Sequence, residues 1–139
     1  FTSSKKLMDL LAENPKLGHI TTFGGHPVIA ASALATLTEI TESKLMAQTL
    51  EKEQLIRKLL VHPLLLEIRG KGLMLALIMP SDEITNKVIL AAQEQGLILF
   101  WLLFEPKAIR ITPPLTISNE EIIKGCAIII TILNSIQKN

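Results

Sequence analysis

The stretch Leu65-Leu66-Glu67-Ile68-Arg69-Gly70-Lys71-Gly72-Leu73-Met74-Leu75-Ala76-Leu77-Ile78-Met79-Pro80 decides the fold. Two apolar runs, Leu65 to Arg69 and Leu73 to Met79, flank a Gly-Lys-Gly step, which reads as strand, tight turn or bulge, and strand. Pro80 breaks the second strand, and Ser81 or Asp82 is placed to cap a helix that ends near Gly96. Further on, Leu97 to Trp101 and Ala108 to Thr112 read as two more short strands. A loop with Glu105, Pro106 and Lys107 separates them, and Pro113 and Pro114 close the section. Ser118 followed by Glu121 has the spacing of a capping box, opening a last helix that carries Ile122, Ile123, Ala127, Ile130 and Leu133.

Upstream of the quoted stretch, an amphipathic helix runs from about Lys44 to Leu60. It sets Leu45, Leu55, Ile56, Leu59 and Leu60 against Glu51, Lys52, Glu53, Arg57 and Lys58, and His62 and Pro63 stop it. Pro27 suits the first position of the preceding helix, because its missing N–H would be unpaired there in any case. That helix, to about Thr41, is alanine-rich and apolar almost all round, the pattern of a helix buried on most sides. Ser3 or Ser4 caps a short helix to about Ala12, which Asn14 and Pro15 end; a loop from Lys16 to His26 follows. The succession predicts an α+β two-layer fold, a small, mostly antiparallel sheet covered by helices.

A chain of 139 residues makes one domain, yet 48% of it is hydrophobic and its mean hydropathy is +0.40. So small an interior does not hide that much apolar surface, so part of it belongs against another domain or subunit. No apolar run reaches membrane-spanning length, and a net charge of +1 without a basic stripe argues against nucleic acid. Cys126 is the single cysteine, with no internal disulfide open to it, and its apolar neighbours mark a buried, inert thiol. Phe1 to Met8 lacks the apolar segment of a signal peptide; a chain beginning at Phe1 reads as a processed or excised piece.

Among residues with chemistry to offer, the loop His19-Ile20-Thr21-Thr22-Phe23-Gly24-Gly25-His26-Pro27 stands out. Hydroxyls, adjacent glycines and a proline-started helix are able to present O–H and N–H donors to an anion such as phosphate. The same residues also serve an ordinary loop feeding a helix, with the glycines present for their backbone angles. His19, His26 and His62 lack the convergent cluster a metal requires, so no metal site is expected. Arg110, between Ile109 and Ile111, alternates to the face opposite those isoleucines, where it either clamps a substrate carboxylate or is simply solvated. Arg69 has the same two readings. Lys71, in the Gly-Lys-Gly step, is too exposed for a catalytic amine, and no nucleophile elbow is present. Taken this far, the residues describe either part of an enzyme or a stand-alone α+β ligand-binding or dimerisation module.

Read in order, Gly18 to Pro27 with the alanine-rich helix, Ile68-Arg69-Gly70-Lys71-Gly72-Leu73-Met74, Gly96-Leu97-Ile98-Leu99 and Ile109-Arg110-Ile111-Thr112-Pro113-Pro114-Leu115 resemble the class III aminotransferases. These are pyridoxal-phosphate (PLP) enzymes of fold type I, of the acetylornithine, ornithine and ω-amino acid kind. The resemblance covers essentially the whole chain and implies its C-terminal part. Residues 1–26 would be a short helix and cofactor-facing loop from the end of the large domain, and 27–139 the connecting helix and small domain. It implies that Thr22, with Phe23 beside it, meets the PLP phosphate of the neighbouring subunit in a homodimer. It also implies that Arg110 holds a carboxylate of the amino acid or 2-oxo acid substrate. The family's Schiff-base lysine and its main phosphate loop match nothing in these residues, so no catalytic residue is assigned, and this chain by itself is expected to retain no PLP and to be inactive. Other expectations from the resemblance are the same chain's large domain as partner, a cytoplasmic location, and neither nucleic acid nor membrane.

Overall fold

Ser4 and His26 start the two helices of the first of two units into which the chain divides, Phe1–Ser43 and Lys44–Asn139. The computed structural model describes residues 3–12 and 21–138; the expectations for Asn14, Pro15, Gly18, His19 and Ile20 lie outside them. In helix α1 (Lys5–Asp9) the Ser4 hydroxyl accepts the Leu7 N–H at 3.4 Å, and Lys5 pairs with Asp9 one turn on. Helix α2 (Pro27–Glu42) has Pro27 in its first turn, and the Nδ1 of His26 accepts the Val28 N–H at 3.3 Å. None of its side chains is buried, with Val28, Leu34 and Leu37 all more than half exposed.

The second unit is a four-stranded sheet with three helices. Helix α3 (Leu45–Leu59) leads into β1 (Glu67–Lys71) and β2 (Met74–Ile78). Helix α4 (Asp82–Glu94), β3 (Phe100–Leu102), β4 (Glu105–Ile111) and helix α5 (Asn119–Lys138) follow. The strand order is β1-β2-β4-β3 and every pairing is antiparallel. Ser81, not Asp82, caps α4, its hydroxyl accepting the Ile84 N–H. Ser118 and Glu121 form the expected reciprocal box, at 2.8 and 3.1 Å.

Partners in register share a face, so Leu77 and Ile109, both 0% exposed, lie on one side of the sheet. There they pack with Ile56 of α3 and Leu60 at its C-cap, Val88 and Ile89 of α4, and a stripe on α5. That stripe is Ile122, Cys126, Ile129, Ile132 and Leu133, rotated from the expected set; Ile123 is 48% exposed. So many consecutive isoleucines satisfy helical spacing in more than one phase, and packing selects the phase. Each such side chain contributes about 1.5–3 kcal/mol when buried. Among the described residues no helix is long and apolar enough to cross a membrane.

The expected polar side of α3 is in part not solvated. Lys52 is buried, its Nζ donating to the Leu115 carbonyl at 2.7 Å. Arg57 donates to the carbonyls of Ile68 (2.6 Å) and Gly70 (2.9 Å) on the edge strand β1, and to Glu53 at 2.9 Å. Glu53 in turn accepts the Gly72 N–H in the hairpin turn. Helical spacing shows which side of α3 meets the core, but not that its flanks reach open backbone groups.

The Gly72 N–H, then the Arg57 guanidinium, hold the Glu53 carboxyl below its ordinary value of 4.5. A lowered folded-state value means that Glu53 stabilises as the carboxylate above its unfolded value, an effect lost as pH falls through the folded one. Glu53→Gln is therefore expected to lower the melting temperature at pH 7, with the gap to the parent closing below about pH 4.5. Thermal unfolding from pH 7 to pH 3 measures this, and a gap that stays constant across that range refutes it.

Candidate functional site

Of the candidate site residues, Thr22 and Phe23 fall in the first unit and Arg110 in the second. In the first unit, residues 21–25 form a turn in which the Gly24 N–H donates to the Thr21 carbonyl and the His26 N–H to that of Phe23. A Cβ on Gly24 would stand 2.5 Å from Thr21 Oγ1, so only glycine lets the threonine hydroxyl lie against the turn. Gly25 has φ +76°, a left-handed conformation that suits glycine. Thr21, Thr22 and Phe23 are all exposed, and the Phe23 ring meets His26 edge-on at 6.2 Å. The Thr22 hydroxyl takes no hydrogen bond among the described residues and stands just ahead of the N-terminus of α2, a sixteen-residue helix. A hydroxyl without a hydrogen bond among the described residues, followed within a few residues by the positive end of a helix dipole, is chemistry that suits a phosphate.

In the second unit, the alternation expected for Arg110 is present: Ile109 is buried, Ile111 half-buried and Arg110 exposed. Its register partners are Ala76 on β2 and Phe100 on β3, on the side opposite Leu77 and Ile109. The guanidinium carbon lies 5.1 Å from the centre of the Phe100 ring, and no carboxylate pairs with it among the described residues. Arg69, by contrast, is occupied by Glu67 at 2.7 Å. Arg110 also borders a mostly apolar cavity of about 400 Å³, along with Thr112, Pro113, Glu121 and Cys126. Burial pushes the Cys126 thiol up to about 11, so it is neutral at physiological pH, as expected for an inert core cysteine.

Lys71 is not in a turn; it is the last residue of β1, paired with Met74, and the turn is Gly72-Leu73. His26 and His62 serve backbone N–H groups, His62 Nδ1 accepting that of Leu64 at 3.1 Å. Among the described residues no cluster of three or more metal-ligating side chains exists. Sequence reasoning missed Phe100 beside Arg110 and Lys52 under the Pro-Pro-Leu segment. The first follows from strand register, which spacing alone did not give; nothing in the sequence signals the second.

The class-III aminotransferase pattern matches residues 1–133. Acetylornithine aminotransferase of Vibrio parahaemolyticus is 37% identical over 125 residues, spanning 84% of this chain and 30% of that protein. 4-Aminobutyrate aminotransferase of Mycobacterium leprae is 36% identical over 124 residues, 81% of this chain and 28% of that protein. Among solved structures, an ornithine aminotransferase of Toxoplasma gondii with partially occupied PLP at its active site has a TM-score of 0.75. It is 30% identical, over 96% of this chain and 32% of its own. The chain therefore spans less than a third of each of these relatives. With most of its residues matched by the family pattern and its fold shared with those structures, the chain belongs to the class-III aminotransferase family.

Proposed function

We propose that this chain is the C-terminal part of a PLP-dependent aminotransferase. The parent moves an amino group from an amino acid of the acetylornithine, ornithine or ω-amino kind to a 2-oxo acid. The observation that carries this reading is Arg110: an exposed guanidinium without a carboxylate partner among the described residues, in a chain of this family. A strand guanidinium without a carboxylate partner among the described residues is able to grip a substrate carboxylate with two parallel N–H donors. Residues 1–26 then end the large domain, and 27–139 form the connecting helix and small domain. The apolar α2 finds its cover in the large domain and the homodimer. The parent works in the cytoplasm.

Thr22 donates its hydroxyl to the PLP phosphate bound by the neighbouring subunit, with Phe23 alongside. When bound, PLP supplies the electron sink that makes the amino-bearing carbon of the substrate reactive. Thr22 thus helps hold the phosphate of the neighbouring subunit's cofactor and Arg110 helps hold a substrate carboxylate, and each contact limits the freedom of the group it grips. The lysine that anchors the cofactor belongs to the rest of the parent.

Absorbance titration with PLP tests the proposal. The full-length gene product is expected to bind PLP saturably and transfer amino groups, and residues 1–139 alone to do neither. In the full-length protein, Thr22→Val removes one charge-assisted hydrogen bond and should weaken PLP binding by about tenfold, roughly 1.5 kcal/mol. Stoichiometric uptake of PLP by residues 1–139 would defeat the reading.

A further inference from the structure

We infer that Phe100 is a positioning residue for Arg110, holding the guanidinium ready for a carboxylate. The inference rests on the carboxylate-binding role proposed above for Arg110. The two residues are direct cross-strand partners of β3 and β4, so their side chains leave the same face of the sheet. The guanidinium carbon stands over the Phe100 ring at 5.1 Å, within the range of a cation–π contact. Phe100 is 52% exposed, so its ring is not placed there to fill the core.

The neighbouring residue holds the platform in place. Trp101 donates its indole N–H to Asn86 Oδ1 of α4 at 2.6 Å, and its ring meets Phe100 edge-on at 6.4 Å. A chain of contacts thus runs from α4 through Trp101 and Phe100 to Arg110.

The choice of an aromatic partner has a chemical consequence. An acidic partner would fix the guanidinium equally well but would occupy the N–H fork that a substrate carboxylate needs. A ring face attracts the cation through its quadrupole and uses no donor, so all five N–H groups stay available. A long side chain without any partner would have to be ordered on each binding event, at a cost in affinity.

The test is steady-state kinetics of the full-length holoenzyme, with 2-oxoglutarate as the 2-oxo acid, for Phe100→Leu, Phe100→Tyr and Arg110→Ala. Phe100→Leu is expected to raise the KM for 2-oxoglutarate about three- to tenfold with kcat within about twofold, and Phe100→Tyr to restore it. If Arg110→Ala raises that KM while Phe100→Leu leaves it unchanged, the inference fails and the role of Arg110 stands. If Arg110→Ala itself leaves that KM unchanged, the carboxylate-binding reading falls and takes the inference with it. A Phe100→Leu variant that loses kcat with no change in KM, or that Phe100→Tyr does not rescue, marks a merely structural residue and also overturns the inference.

Discussion

Arg110→Ala in the full-length gene product is expected to lower kcat/KM for the 2-oxo acid by about 100-fold, close to 3 kcal/mol. The size follows from what alanine leaves behind. On the proposed role, a bidentate pair supplies two charge-assisted hydrogen bonds, and its loss leaves the bound carboxylate without either. Arg110→Lys retains the charge but not the planar fork, and should recover only about tenfold of that loss. Stability should change little, by about 0.5 kcal/mol or less, because the guanidinium is exposed and pairs with no carboxylate among the described residues. Measuring kcat/KM for the oxo acid alongside a melting curve separates the two effects. An unchanged kcat/KM in a folded protein would remove Arg110 from the site.

Local signals carried most of the architecture. Ser4, Ser81 and the Ser118–Glu121 box cap their helices within a turn of sequence, so residue identity narrows each cap to one or two neighbouring positions. Strand edges were less legible where the chain departs from regular pairing. Pro106 lacks a ladder donor and reads as loop, yet β4 begins at Glu105. It falls where β3 leaves register, between the pairs Leu102–Glu105 and Trp101–Ile109, while β2 extends its own pairing through the Met79 N–H to the Lys107 carbonyl. A proline is tolerated in such an irregular stretch.

The candidate site was legible in a different measure. Thr22 and Arg110 stand out as candidates through residue type and neighbours, a hydroxyl before two glycines and a helix and a cation alternating against isoleucines, while the same residues also fit an ordinary loop and a solvated strand. Phe100 does not stand out, because its meeting with Arg110 depends on the irregular stretch of β4 between the pairs Leu102–Glu105 and Trp101–Ile109, which shifts the register. Composition and periodicity alone favour a non-catalytic module, because they show a fold and no catalytic machine. It is the match to the class-III pattern over residues 1–133 that ties these scattered residues to an enzyme family.

Gly70→Ala is expected to destabilise the sheet by about 3 kcal/mol or more, because φ strain and a backbone clash act together. Gly70 has φ +109°, outside the range an L side chain readily adopts. An added Cβ would stand 2.1 Å from the Met74 carbonyl oxygen and 3.1 Å from Leu75 Cα, both backbone atoms of the paired strand. Neither moves without disturbing the β1–β2 register, in which Gly70 faces Leu75 and Lys71 faces Met74. Gly96→Ala serves as the comparison. Its φ is +79°, but nothing lies within 4 Å of the added atom, so only conformational strain remains, about 1–2 kcal/mol. For a unit of this size, 3 kcal/mol corresponds to a fall in melting temperature of more than about 10 °C. Thermal unfolding of both variants beside the parent measures the difference. Equal losses for the two would mean that the Met74 carbonyl yields freely, and that Gly70 is required only for its backbone angle.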